Sequence, residues 1–116
     1  MAHIVLILQH SAWTSAKARE AQDLSLALAA TEHQVQLLYR DAAVLQLRPL
    51  TQPPAGKDFT VAQKLFELYD IAAVCVCQQS LAAYALVPED LRIDVNVLDP
   101  SAQNEMLNQA DFVLVF

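Results

Sequence analysis

Cys75 and Cys77, separated by one residue, are the side chains best suited to covalent chemistry in this sequence. The chain has no second cysteine cluster, so a structural zinc cage or a disulfide framework cannot be assembled from them. What remains is thiol chemistry, in which the thiolate is the nucleophile of redox or sulfur transfer. Both cysteines close an aliphatic run of strand length, and residues two apart on a strand share a face, so the thiols point one way while Val74 and Val76 point the other. Cys75 falls mid-strand, where a thiol beneath a covering helix behaves as a small hydrophobe with a raised pKa. Cys77 falls at the strand end, beside the amides that open a helix from Gln78, and such surroundings favour the thiolate. Cys77 is therefore the candidate catalytic residue. A disulfide between the two is disfavoured, because an extended C-x-C holds its α-carbons at the long end of the bridging range.

In open α/β sheets the functional crevice lies at the carboxyl ends of the strands, here after Gln9, Tyr39, Cys77 and Leu98. His10, Ser11, Arg40, Asp41, Gln78, Gln79 and Asp99 accompany Cys77 there. His10 reads as a solvated loop residue, Asp41 as a turn or cap residue, and Trp13 as lid or interface packing. Neither G-x-G-x-x-G nor a P-loop is present, and Gly56 is the only glycine, so a backbone cradle for a phosphate is hard to build. No cofactor and no metal are expected.

The elements that must position these residues alternate between strand and helix. Strand patterns occupy 3–9, 34–39, 71–77, 92–98 and 111–116, and helical patterns 15–30, 78–85 and 100–109. A further helix is expected from Asp58, with Ala62, Leu65, Phe66 and Tyr69 as its inward stripe. Residues 41–47 read as a turn and a short apolar segment, and 48–57 as a Pro-rich surface loop. Strands joined by helices need right-handed crossovers, so the expected fold is a flavodoxin-like three-layer α/β sandwich around a five-stranded, mostly parallel sheet. It fills one domain, 1–116. Leu26 lies off the apolar stripe of its helix, and Val44, Leu45, Leu47 and Leu50 flank the Pro-rich loop; both groups are expected to be covered by a neighbouring chain.

Composition narrows the function. The 116 residues are 55% hydrophobic and 17% charged, and seven Lys and Arg against thirteen Asp and Glu leave a net charge of −6. This acidic balance argues against direct binding to a phosphate backbone. The aliphatic run 4–8 is too short for a signal peptide or a membrane span, so the protein reads as cytoplasmic. A mean hydropathy of +0.28 is high for a solitary soluble domain, and partner subunits are the natural cover for the excess.

Four stretches resemble the DsrE/DsrF-like sulfur-relay family, and within it the TusC (DsrF) branch. AREAQDLSLALAA at 18–30 and RDAAVLQLRP at 40–49 are similar to the branch's first helix and its A-D-G-V-x-Q-L-L-P segment, with Ala42 in place of the glycine. KLFELYDIAAVCVCQQSLAAYAL at 64–86 resembles the most specific motif, and ADFVLVF at 110–116 the family's ending. The resemblance implies a DsrE-like fold and a heterotrimer with TusB-like and TusD-like sister chains that pairs into a heterohexamer. Such a complex passes persulfide sulfur through a further carrier protein toward 2-thiolation of the tRNA wobble uridine. Cys77 matches the position of the family's persulfide cysteine, although the essential carrier cysteine of the tRNA-thiolating complex belongs to the TusD-like chain. This chain is then expected to be a non-catalytic or auxiliary subunit acting mainly by partner binding, with Cys77 as a carrier the alternative. A stand-alone flavodoxin-like binder or thiol redox protein is the third reading. The single glycine and the C-x-C spacing, which is not C-x-x-C, weigh against it.

Overall fold

The computed structural model describes residues 2–11, 16–48, 63, 65–66 and 68–116. Uninterrupted aliphatic runs become the strands of one sheet: β1 (His3–Leu8), β2 (Gln34–Tyr39), β3 (Ala73–Cys77), β4 (Asn96–Leu98) and β5 (Phe112–Val115). The helices are α1 (Lys17–Ala30), α2 (Gln78–Ala83) and α3 (Pro100–Gln109). The strand order is β4-β3-β2-β1-β5 and every pairing is parallel, which gives the expected α/β sandwich with a five-stranded parallel sheet.

Alternation along the strands divides the apolar residues between two layers. Ile4, Leu6, Leu8, Val35, Leu37, Tyr39 and Val76 pack on one face against Ala21 of α1, Leu81 of α2, and Ala43, Val44 and Leu47. Val5, Ile7, Leu38 and Cys75 occupy the other face, under Met106, Leu107 and Ala110 of α3 and its end. This division follows from handedness. The chain steps from β1 through β4 in one direction, so its right-handed crossovers stay on one face; the return from β4 to β5 reverses direction and puts α3 on the opposite face.

Several expectations need correction. Residues 41–47 form a 3-10 helix, Asp41–Leu47, that turns Val44 and Leu47 fully into the chain's own core. Leu26 likewise packs against that core. The chain itself therefore covers Val44 and Leu47, while Leu26 and Leu45 are only half-buried. Leu50, Trp13, Asp58 and Ala62 lie outside the described residues. Phe66 is buried as expected, but Leu65 and Tyr69 are exposed, so they do not share its inward stripe. The fourth strand is shorter than 92–98 implied, with ladder pairing confined to Asn96–Leu98.

The apolar excess emerges elsewhere. Total accessible area is 6529 Å², close to the roughly 6,300 Å² expected for this mass, so it is the character of the surface rather than its extent that is unusual. The strand β5 is an edge strand, and all four of its residues are exposed: Phe112 at 60% and Leu114 on the face of α1, Val113 and Val115, the last at 59%, on the face of α3.

With glycine scarce, other residues take left-handed backbone: Glu32, Asp41, Asp70 and Ala85 have φ between 51° and 68°. Ala85 follows α2 in a Schellman cap, in which Leu86 N–H donates to Leu81 O at 2.9 Å and Ala85 N–H to Ala82 O at 3.1 Å. A β-carbon at that position costs about 1 kcal/mol or more, partly offset by glycine's freer unfolded chain. Ala85→Gly is therefore expected to stabilise the protein by about 0.5–1 kcal/mol, measured by urea unfolding.

Candidate functional site

The site forms where the sheet changes its winding. After β3 the chain turns into α2 on one face, and after the adjacent β4 it turns into α3 on the other, so the carboxyl ends of these neighbours open a crevice between the two helices. A cavity of about 720 Å³ occupies this position. Cys77, Gln9, Arg40, Asp41, Ser80, Tyr84, Gln103 and Asn104 are among the side chains lining it.

Cys77 is the last residue of β3 and the N-cap of α2, although its side chain closes no well-formed cap hydrogen bond. It is 8% exposed. Burial pushes its thiol up, but hydrogen bonding from the Ser80 and Gln103 side chains and from the Ser80 and Gln79 backbone outweighs that, so the net shift is downward. Several modest donors around the sulfur therefore act together, in place of one strong cap. Cys75 lies two residues earlier, beneath α3. Burial there pushes its thiol up against a smaller opposing effect from the Asn96 side chain. Both thiols are free.

A second layer of contacts starts from the end of β2. Asp41 N–H donates to Ser80 Oγ at 2.9 Å, which leaves the Ser80 hydroxyl proton for the sulfur. Arg40 Nε donates to Gln103 Oε1 at 3.1 Å, and Gln103 Nε2 donates to Leu98 O at 3.0 Å. Adjacent residues of one strand end thus hold both side chains that favour the Cys77 thiolate and line the cavity with it.

Of the strand-end residues singled out from the sequence, Arg40, Asp41, Cys77 and Gln79 line the cavity together, joined by Gln9 from the end of the first strand pattern. Asp99 instead caps α3, accepting from Ala102 N–H at 2.8 Å. The His10 carbonyl accepts from Gln46 Nε2 at 2.7 Å, and its imidazole does not line the cavity. Ser80, Tyr84, Gln103 and Asn104 escaped the sequence reading. The available signal was position: Gln103 is one turn beyond the cap Asp99, on the helix that follows the neighbouring strand. Among the described residues no cluster of His, Cys, Asp and Glu could hold a metal ion.

A profile of the DsrE/DsrF-like family matches residues 2–116. The chain belongs to the DsrE/DsrF-like family. Curated relatives support the same placement: a protein named TusC homolog from Vibrio parahaemolyticus is 36% identical over 119 residues, and one from Aliivibrio fischeri is 30% identical over 118, each with 100% of both chains covered. The crystal structure of the ychN protein from E. coli superposes with a TM-score of 0.87 at 19% identity over 100% of both chains, which supports the family fold. Among the described residues no helix is long and apolar enough to cross a membrane.

Proposed function

We propose that this chain is the TusC-like subunit of a sulfur-relay complex, joined to TusB-like and TusD-like sister chains in a heterohexamer that passes persulfide sulfur, through a further carrier protein, toward 2-thiolation of the tRNA wobble uridine. The observation that carries this reading is β5, an edge strand without proline or charge whose side chains are exposed on both faces. A sister chain would bury it. The net charge of −6 supports a role that does not grip tRNA directly, and relatives named TusC homolog match over the full chain.

Co-expression with the two sister chains is expected to give one stable complex by size-exclusion chromatography and native mass spectrometry. Phe112→Glu is expected to weaken that association at least about tenfold, with little change in the isolated chain's unfolding midpoint. A folded chain that stays monomeric beside both sister chains would overturn the reading.

The Cys77 cavity favours a second role, in which this subunit itself carries sulfur. Cys77 thiolate attacks the outer sulfur of an incoming persulfide; the old sulfur–sulfur bond breaks, a new one forms on Cys77, and the donor leaves as its thiolate. No external oxidant or reductant enters. After treatment with cysteine persulfide, the peptide bearing Cys77 is expected to gain about 32 Da, one sulfur atom, and the Cys77→Ser variant is not. An unmodified wild-type peptide would remove the carrier role and leave the partner role standing.

A further inference from the structure

The geometry points to Gln103 as the positioning residue of the Cys77 site, with Arg40 setting which end of its amide faces the sulfur. This rests on the reading of Cys77 as a sulfur carrier and deepens it.

Gln103 is 3% exposed and stands on the first turns of α3. A buried primary amide has two possible orientations, and two neighbours choose between them. Arg40 Nε can only donate, so it must meet the amide oxygen. The Leu98 carbonyl can only accept, so it must meet the amide nitrogen. Flipping the amide would break both contacts at once. In the orientation they select, one N–H is spent on Leu98 and the second remains for Cys77, which lines the same cavity and whose thiolate Gln103 favours. The guanidinium also draws electron density toward the amide oxygen, which makes the remaining N–H a stronger donor.

The arrangement serves sulfur transfer at both ends of the step. Before it, the N–H holds negative charge on the attacking sulfur; after it, the same donor lies beside a persulfide whose terminal sulfur is also anionic. Arg40 gains this influence without touching the thiol. A cation in direct contact would bind the thiolate tightly and depress its nucleophilicity, which falls as pKa falls. Ser80 offers a parallel donor, held by Asp41 N–H, so the thiolate is favoured from α2 and α3 by residues that the end of β2 fixes.

The test reads the rate of iodoacetamide alkylation at Cys77 against pH, in the full chain with Cys75→Ala, before any sulfur is loaded. Gln103→Met is expected to slow alkylation at neutral pH by about tenfold, the loss of one hydrogen bond to a charged sulfur, and to move the titration midpoint upward. Gln103→Glu keeps the contact to Arg40 but turns an oxygen toward the Leu98 carbonyl, so it is expected to lower the unfolding temperature and to move the midpoint further in the same direction. A purely structural role for Gln103 would lower the unfolding temperature without moving the midpoint. Arg40→Met is expected to act in the same direction as Gln103→Met but less strongly, and to have no further effect when the two are combined. Unchanged titration in Gln103→Met and Gln103→Glu, or fully additive effects of Arg40→Met and Gln103→Met, would overturn the inference. Loading with cysteine persulfide separates this from the reading beneath it: if titration responds as stated but wild-type Cys77 takes up no sulfur, the carrier role fails while the positioning of the thiolate by Gln103 stands.

Discussion

Native protein treated with iodoacetamide at neutral pH is expected to take one adduct per chain, on Cys77, while Cys75 stays unmodified until the fold opens. The two thiols are two residues apart on one strand and face the same layer, so the contrast comes from their surroundings alone. Cys77 lines an open cavity and is held below the ordinary thiol range by donors that overcome its burial. Its alkylation should follow a titration curve with a midpoint below that of the unfolded thiol. Cys75 packs with Val5, Ile7 and Leu38 under α3, and burial pushes it the other way. A reagent reaches it only when α3 lifts, and an opening free energy of about 4 kcal/mol would slow the reaction about a thousandfold. Peptide mass mapping over time reads both rates. Comparable rates for the two cysteines would show that α3 does not seal its face of the sheet.

The same shifts act on stability with opposite sign. The ionised Cys77 is favoured by folding, so its contribution is present above the unfolded thiol's value and is lost as pH falls through the lower folded value. Folding disfavours ionised Cys75, so its contribution is present below the unfolded value and is lost as pH rises toward the higher folded one. Single alanine variants at the two positions should therefore change the pH dependence of unfolding in opposite directions near the ordinary thiol range.

The parts of this architecture that local pattern encodes were legible from residues alone. Gln34–Tyr39 and Pro100–Gln109 have the expected bounds, the first because an apolar run is bracketed by polar residues, the second because Asp99 and Pro100 form a cap and a first turn that admit no other start. Strand alternation also separated Cys75 and Cys77 from Val74 and Val76. Partner surfaces were not legible, because an apolar count states how much must be covered but not by what. Val44 and Leu47 looked surplus in sequence and are sealed by their own chain, whereas β5 looked like any buried strand and is bare on both faces. Its exposure follows from strand order: β5 lies beyond β1 at the sheet edge, a position that depends on the long crossover from β4 and on no feature within residues 112–115. Gln103 was hidden for a related reason. Its partners Arg40 and Cys77 are distant in sequence, and they meet only where the connections after β3 and β4 part to opposite faces.

Tyr39→Phe is expected to make the protein more stable, by about 1–3 kcal/mol, although it removes a polar group from one of the largest buried side chains. Tyr39 ends β2 with its ring in the main core and 0% exposure, and among the described residues its hydroxyl oxygen has no hydrogen-bond partner. A hydroxyl that leaves water without a partner loses its hydration and gains nothing in exchange. The ring is another matter. Its packing against the core is retained by phenylalanine, whereas Tyr39→Ala would open a cavity and cost about 3–5 kcal/mol. The pH dependence gives a second, independent readout. Burial raises the Tyr39 phenol well above its ordinary value of 10.0, so the stability linked to its protonated form is intact below that value and drains away as pH rises beyond it. Each pH unit in that alkaline window removes up to about 1.4 kcal/mol from the wild type relative to Tyr39→Phe. Urea unfolding at neutral and at strongly alkaline pH should therefore show the variant ahead in both, with the wider gap at alkaline pH. A variant less stable than wild type at neutral pH would mean that the Tyr39 hydroxyl is hydrogen-bonded in the folded protein.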